Sequence, residues 1–132
     1  MTKTKVINAH DKAWIKYMEW GARTGCHQRP DRSFYIHGYQ FPVCARCTGV
    51  FLGYLLSVPC FLSMGYQRLR NSALAGCMVM FLDWLLQALH IKSSTNSRRF
   101  ITGAAGGFGL MVLWIGLAVS LASRLRRYAA PA

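Results

Sequence analysis

The chain has 132 residues, with Lys and Arg numbering 16 against 4 Asp and Glu, for a formal net charge of +12. Hydrophobic residues make up 53% of it and the mean hydropathy is +0.21. That composition excludes a disordered basic tail, the length allows one domain, and five cysteines exclude a complete disulfide framework in a monomer. A small basic membrane protein remains.

Residues 1–25 are polar and basic without a long apolar run. Ile7, Trp14, Tyr17, Met18 and Gly21 share one side of a helical wheel, with Lys5, Lys12, Lys16 and Glu19 mostly elsewhere. This pattern predicts an amphipathic helix in the headgroup plane, the other reading being a frayed polar terminus. Residues 26–47, CHQRPDRSFYIHGYQFPVCARC, hold three cysteines and two histidines. Pro30 and Pro42 discourage a continuous helix there, so an ordered loop with turns is expected.

Three apolar segments follow, at 48–66, 72–91 and 100–122. Each is close to the about 20 residues a helix needs to cross a bilayer. Lipid offers the backbone no hydrogen bonds, so these segments must be helical, with Pro59 expected to kink the first. The expected fold is an all-α membrane protein, one membrane domain of three transmembrane helices, with the N-terminal amphipathic helix and the Cys/His-rich ordered loop.

Three spans place the N-terminal region and the 92–99 loop on one face. That face carries 11 basic residues (Lys3, Lys5, Lys12, Lys16, Arg23, Arg29, Arg32, Arg46, Lys92, Arg98 and Arg99). The other carries five (Arg68, Arg70, Arg124, Arg126 and Arg127). The excess predicts a cytoplasmic N-terminus. The basic residues flank spans and do not form a patch interleaved with aromatics, so anionic lipid headgroups are the expected partners and nucleic acid is not. Three spans rarely enclose a pathway alone, which makes a homo-oligomer an expectation.

The same threading gathers most of the reactive side chains at the basic face. Asp83, Gln87 and His90 are spaced 4 and 3 apart on one side of the second span, next to Asn96, Arg98, Arg99 and Thr102. An ionised carboxylate inside a span costs about 2.5–3.5 kcal/mol on insertion scales, so Asp83 needs a partner, with Arg46, Arg98 and Arg99 as candidates. It is either a structural ion pair or a proton carrier, general base or metal ligand. Asp83, Gln87, Asn96 and Arg99 form the candidate catalytic pocket. Gly49-xxx-Gly53 and Gly103-xxx-Gly107 open the first and third spans near this face and predict close helix approach.

The cysteines admit several chemistries. Cys44 and Cys47, with Cys26 and a histidine, match the donor set of tetrahedral zinc, with His27 the expected fourth ligand and His37 its competitor. A CxxC pair at a helix N-terminus also suits thiol–disulfide exchange, with Cys26 as the resolving thiol. Cys26 or Cys44 with a histidine, oriented by Asn96, would serve as a nucleophile. A membrane-embedded hydrolase using a metal-activated water or Asp83 extends the metal reading. Cys60 and Cys77, inside spans, read as small packing residues.

The string C-H-Q-x-P-x-R-S-F, then P-V-C-A-R-C-T-G, then D-x-x-x-Q and S-T-N-x-x-R-x-x-T-G, from Cys26 to Gly103, resembles domain-of-unknown-function family 2085. These are small bacterial integral membrane proteins. The resemblance implies a helical protein of the bacterial cytoplasmic membrane and no particular activity. Its signature falls on Cys26, His27, Arg32, Ser33, Phe34, Cys44, Cys47, Asp83, Gln87, Ser94, Thr95, Asn96, Arg99, Thr102 and Gly103. It favours His27 over His37 as the fourth ligand.

Overall fold

A computed structural model describes residues 8–129 of the chain. In order it contains helix α1 (Ala9–Arg23), a 3-10 turn (Pro30–Arg32), strands β1 (Ser33–Ile36) and β2 (Tyr39–Cys44), and helices α2 (Ala45–Met64), α3 (Tyr66–Ala88) and α4 (Asn96–Ala129). The last three are long and apolar enough to cross a membrane.

The exposure pattern is that of a bundle built for lipid. Leu62 on α2 is 81% exposed and Leu55 74%, whereas the interior holds Ala73, Val112 and Ser57 with no exposure. Lipid is as apolar as leucine, so burying leucine between helices gains little, and close packing of small residues takes over. α4 lies between α2 and α3 and meets each through glycine. A Cβ on Gly103 would stand 2.3 Å from the Arg46 carbonyl oxygen, and one on Gly107 2.4 Å from that of Val50, both on α2. From α2, one on Gly53 would stand 2.3 Å from the Ala104 oxygen. Gly109 faces the Ala73 oxygen on α3 at 2.2 Å by the same measure. The glycine motifs of the first and third spans therefore do face each other, and α4 carries a second seam toward α3.

The helices start earlier than the apolar runs do. α2 begins at Ala45 because the chain leaves β2 in extended conformation at Cys44 (φ −67°, ψ 162°). α2 and α3 are joined by Gly65 alone, whose φ of 74° reverses the chain where other residues would be strained. The polar residues Asn96–Arg99 form the first turn of α4 and not a loop. α2 continues through Pro59.

The Cys/His-rich region is ordered, as expected, but contains a β-hairpin that was not anticipated. Ile36 pairs with Tyr39 across a two-residue turn, and both central residues, His37 (φ 50°) and Gly38 (φ 81°), are left-handed. That is the requirement of a type I′ turn, whose twist matches the flanking strands. α1 packs on this hairpin. Trp14 Nε1 donates to the Gln40 carbonyl oxygen at 2.8 Å, its ring lies 5.9 Å from that of Tyr39, and Tyr39 Oη donates to Asp11 at 2.7 Å. Gly21 sits so close to Pro42 that a Cβ there would meet the Pro42 oxygen. α1 is thus a docked helix, and its Tyr17 and Trp20 remain exposed, available to a headgroup layer. Ile7, expected on its apolar side, lies outside the described residues.

Candidate functional site

The end of β2 and the first turn of α2 carry the sequence Cys44-Ala45-Arg46-Cys47, and the turn sends these side chains in different directions. Cys44 and Cys47 turn toward Cys26, and the three sulfurs lie within 4.8 Å of one another. Cys26 and Cys44 are buried and Cys47 is half-buried. The Cys44 backbone N–H donates to Cys26 Sγ at 3.2 Å, which ties the loop before the hairpin to the start of α2. Around the sulfurs pack Val43, Phe41 and Phe51. The hydrogen bond from Cys47 pulls the Cys44 thiol down to about 5, with Cys26 and the backbone of the first helical turn adding to the effect against the opposing cost of burial.

Arg46 points the other way, into the interior between the helices. Its Nη2 lies 2.6 Å from Asp83 Oδ2. Asp83 is 3% exposed and is the hub of a network drawn from all three long helices. Gln87 Nε2, one turn along α3, donates to the same oxygen at 2.7 Å, and Thr102 Oγ1 of α4 donates to it at 3.2 Å. Arg98 Nε stands 2.7 Å from Oδ1, an ion pair outside hydrogen-bonding alignment. The two guanidinium partners balance the charge of this buried carboxylate, and all its hydrogen bonds fall on Oδ2. Of the three arginines considered as partners, Arg46 and Arg98 are the ones at ion-pair distance.

Arg99 takes a different place. Its Nε donates to Gln87 Oε1 at 3.1 Å and its Nη1 to Asn96 Oδ1 at 3.5 Å. Asn96 Nδ2 in turn donates to the Ser33 carbonyl oxygen at 3.2 Å, joining α4 to the hairpin. Asp83, Gln87, Asn96 and Arg99 therefore form one connected network, which meets the sulfur cluster through Arg46. The hairpin threading of the spans does bring thiols and carboxylate to a shared end of the bundle.

The histidines are elsewhere. His27 is exposed and lies outside the group of three sulfurs. His37 occupies the exposed tip of the hairpin, where its left-handed backbone serves the turn. His90, also left-handed, follows the end of α3 and lines a polar pocket with Gln87 and Arg99, without contact to Asp83 or the sulfurs. Two contributors were not assigned to the pocket from sequence, although the family signature falls on Ser33. Ser33 receives the Asn96 contact and donates its own hydroxyl to the Arg29 oxygen at 2.9 Å. Gln28 donates to both the Met18 and Pro42 oxygens at 2.6 Å, holding α1, the loop and β2 together beside Cys26. Cys60 packs against the core cluster around Leu69 and Val112, and Cys77 Sγ lies 3.8 Å from the Gly106 oxygen, so neither joins the sulfur cluster. An apolar groove of about 870 Å³ between β2 and α2, lined by Trp20, Phe41, Phe51 and Tyr54, contains none of the sulfurs.

The chain belongs to domain-of-unknown-function family 2085, whose members are described as predicted membrane proteins, and the family match covers residues 26–113. An uncharacterized protein of Methanothermobacter thermautotrophicus is 38% identical over 91 residues, which span 67% of this chain and 82% of that one. An uncharacterized protein of Methanocaldococcus jannaschii is 35% identical over 88 residues, 63% of this chain and 56% of the relative. These relatives are archaeal, so they give no support to the expectation of a bacterial protein or a bacterial inner membrane. No solved structure matches the chain. The family region starts at Cys26 and so takes in the cysteine loop and the hub residues but leaves out α1.

Proposed function

We propose that this integral membrane protein holds a metal ion at Cys26, Cys44 and Cys47, zinc by the chemistry of the donors, with the centre serving to lock the cysteine loop and hairpin onto the membrane bundle. The observation that carries the reading is the convergence of three sulfurs, from two separated stretches of chain, to within 4.8 Å. Sulfurs of a tetrahedral zinc site, with Zn–S of about 2.3 Å, stand about 3.8 Å apart, so the cluster needs to contract by only about 1 Å. Thiolates are the donors that zinc and other borderline-soft ions prefer, and the Cys44 thiol is shifted toward that ionised form. Three thiolates on a divalent ion carry one negative charge, at the arginine-rich end of the bundle.

The fourth ligand in this reading is His27. It adjoins Cys26, and no hydrogen bond among the described residues holds its ring elsewhere. Metal content tests the proposal. Purified protein should carry about one equivalent of zinc, and each of Cys26→Ser, Cys44→Ser and Cys47→Ser should reduce it to near none. A metal-free preparation with unchanged hydrogen-exchange protection across residues 26–47 contradicts it. On the basic-residue excess, this end of the bundle faces the cytoplasm and its headgroups.

A second reading, thiol–disulfide exchange between Cys44 and Cys47, is favoured by the acidified Cys44 at the N-terminus of α2. It requires that mild oxidants form that disulfide reversibly in the metal-free protein. The hydrolase reading gains no such support, because both Asp83 oxygens are engaged by arginine.

A further inference from the structure

Arg99 is a buried cation with no anion. Only 9% of the residue is exposed, its hydrogen bonds go to two neutral amide oxygens, and no carboxylate among the described residues lies at ion-pair distance from it. Its position compounds the cost. Arg98 and Arg99 stand in the first turn of α4, which has no acidic residue, so two cations occupy the positive end of a helix dipole. Asp83 compensates Arg98. Among the described residues no carboxylate forms an ion pair with Arg99.

The uncompensated charge faces a concavity. A polar pocket of about 340 Å³ is lined by Arg99 together with Arg32, Lys92, His90 and Ser93, contributed by the 3-10 turn, the α3–α4 loop and α4. Arg32 Nε is buried without a hydrogen bond. Asp31 also lines the pocket, and its carboxylate is shared between Arg29 at 3.3 Å and Arg32 at 3.5 Å. None of Lys92, His90 and Arg99 stands at ion-pair distance from it, although its charge reaches Arg99 through space. The pocket offers fork-shaped guanidinium donors, an ammonium, an imidazole and a hydroxyl around one space, the donor set that recognises tetrahedral oxyanions.

We propose that this pocket binds a phosphate group, with Arg99 as its buried floor and Arg32 and Lys92 as its rim. It lies at the end of the bundle where the spans emerge, so the group can belong to a phospholipid headgroup or to free phosphate. The pocket does not depend on the metal proposal, since none of the cysteines lines it.

The test uses the full chain in nanodiscs of phosphatidylcholine, with or without a minor fraction of phosphatidylglycerol. Native mass spectrometry reads retained lipid, and phosphorus NMR titration with inorganic phosphate reads the free anion. Arg32→Gln, Lys92→Gln and Arg99→Gln are compared with Lys12→Gln, a basic residue of α1 outside the pocket. Lys92 lies on the exposed loop, so its variant keeps the test informative if Arg99→Gln fails to fold. One retained phosphatidylglycerol, lost in the pocket variants and kept in Lys12→Gln, establishes a headgroup site. Saturable phosphate binding weakened about tenfold by each pocket variant, without retained lipid, establishes a free-phosphate site. Absence of both, or equal weakening by Lys12→Gln, overturns the proposal.

Discussion

The two ends of this bundle are held together by different physics. At the cysteine end, charges and hydrogen bonds join the elements: Arg46, Arg98, Thr102 and Gln87 all reach Asp83, and Asn96 reaches the hairpin. Along the rest of the bundle the helices meet through glycine and alanine, with Leu69, Ala73 and Val112 forming the one buried apolar cluster on that side among the described residues. Lipid gives apolar side chains no reason to leave it, so a membrane helix pair needs either close van der Waals contact or polar contacts that hydrocarbon cannot replace. This chain runs close glycine contacts along the whole bundle, beginning with Gly103 on the Arg46 oxygen, and adds the polar device only beside the reactive sulfurs.

The largest expected effects fall on the cysteine end. Cys44→Ser should abolish metal retention and strip hydrogen-exchange protection from residues 26–47 while leaving α3 protected. Acidity should do the same more gently. Because the folded Cys44 thiol lies below its ordinary value, its stabilising contribution is complete above the ordinary cysteine value and fades as pH falls. Zinc content measured after dialysis should fall as pH drops, because protons compete with the metal for the thiolates. Asp83→Asn comes next. It leaves Arg46 and Arg98 without their anion, and unfolding in detergent should show a loss of about 3–5 kcal/mol.

Gly107→Ala probes the other region. Its Cβ would stand 2.4 Å from a backbone oxygen of α2, which cannot rotate away, so α2 and α4 must separate. We expect a loss of about 1–3 kcal/mol spread along both helices, with the metal retained. If Gly107→Ala instead released the metal as readily as Cys44→Ser, the division into two regions would fail. The smallest effect is that of Gly38→Ala, which forces a side chain into the left-handed turn (φ 81°) at a cost of about 1 kcal/mol. It should loosen the hairpin and leave the bundle unchanged by thermal unfolding.

Much of this was legible in the chain. Spans are read from long apolar runs because lipid leaves the backbone one choice, and the partners open to Asp83 were few because an intramembrane acid needs a cation within reach. The union of Cys26 with Cys44 and Cys47 followed from residue type. The hairpin was not legible in the same way. SFYI and YQFPVC are short, contain a proline and lack clean alternation, and the one signal was His37-Gly38, a dipeptide weaker than Asn-Gly as a turn marker. Reading that turn would also have placed His37 at an exposed tip. The role of Arg99 was hidden for another reason: three candidate arginines for one aspartate leave the pairing to side-chain geometry, which spacing does not encode.

The central claim is that the three sulfurs share one ion, and X-ray absorption at the zinc edge tests it most directly. Three sulfur neighbours at about 2.3 Å with one nitrogen neighbour at about 2.0 Å is the expected spectrum. Zinc surrounded only by oxygen and nitrogen, or no zinc in protein whose cysteine loop remains fully protected, would contradict it.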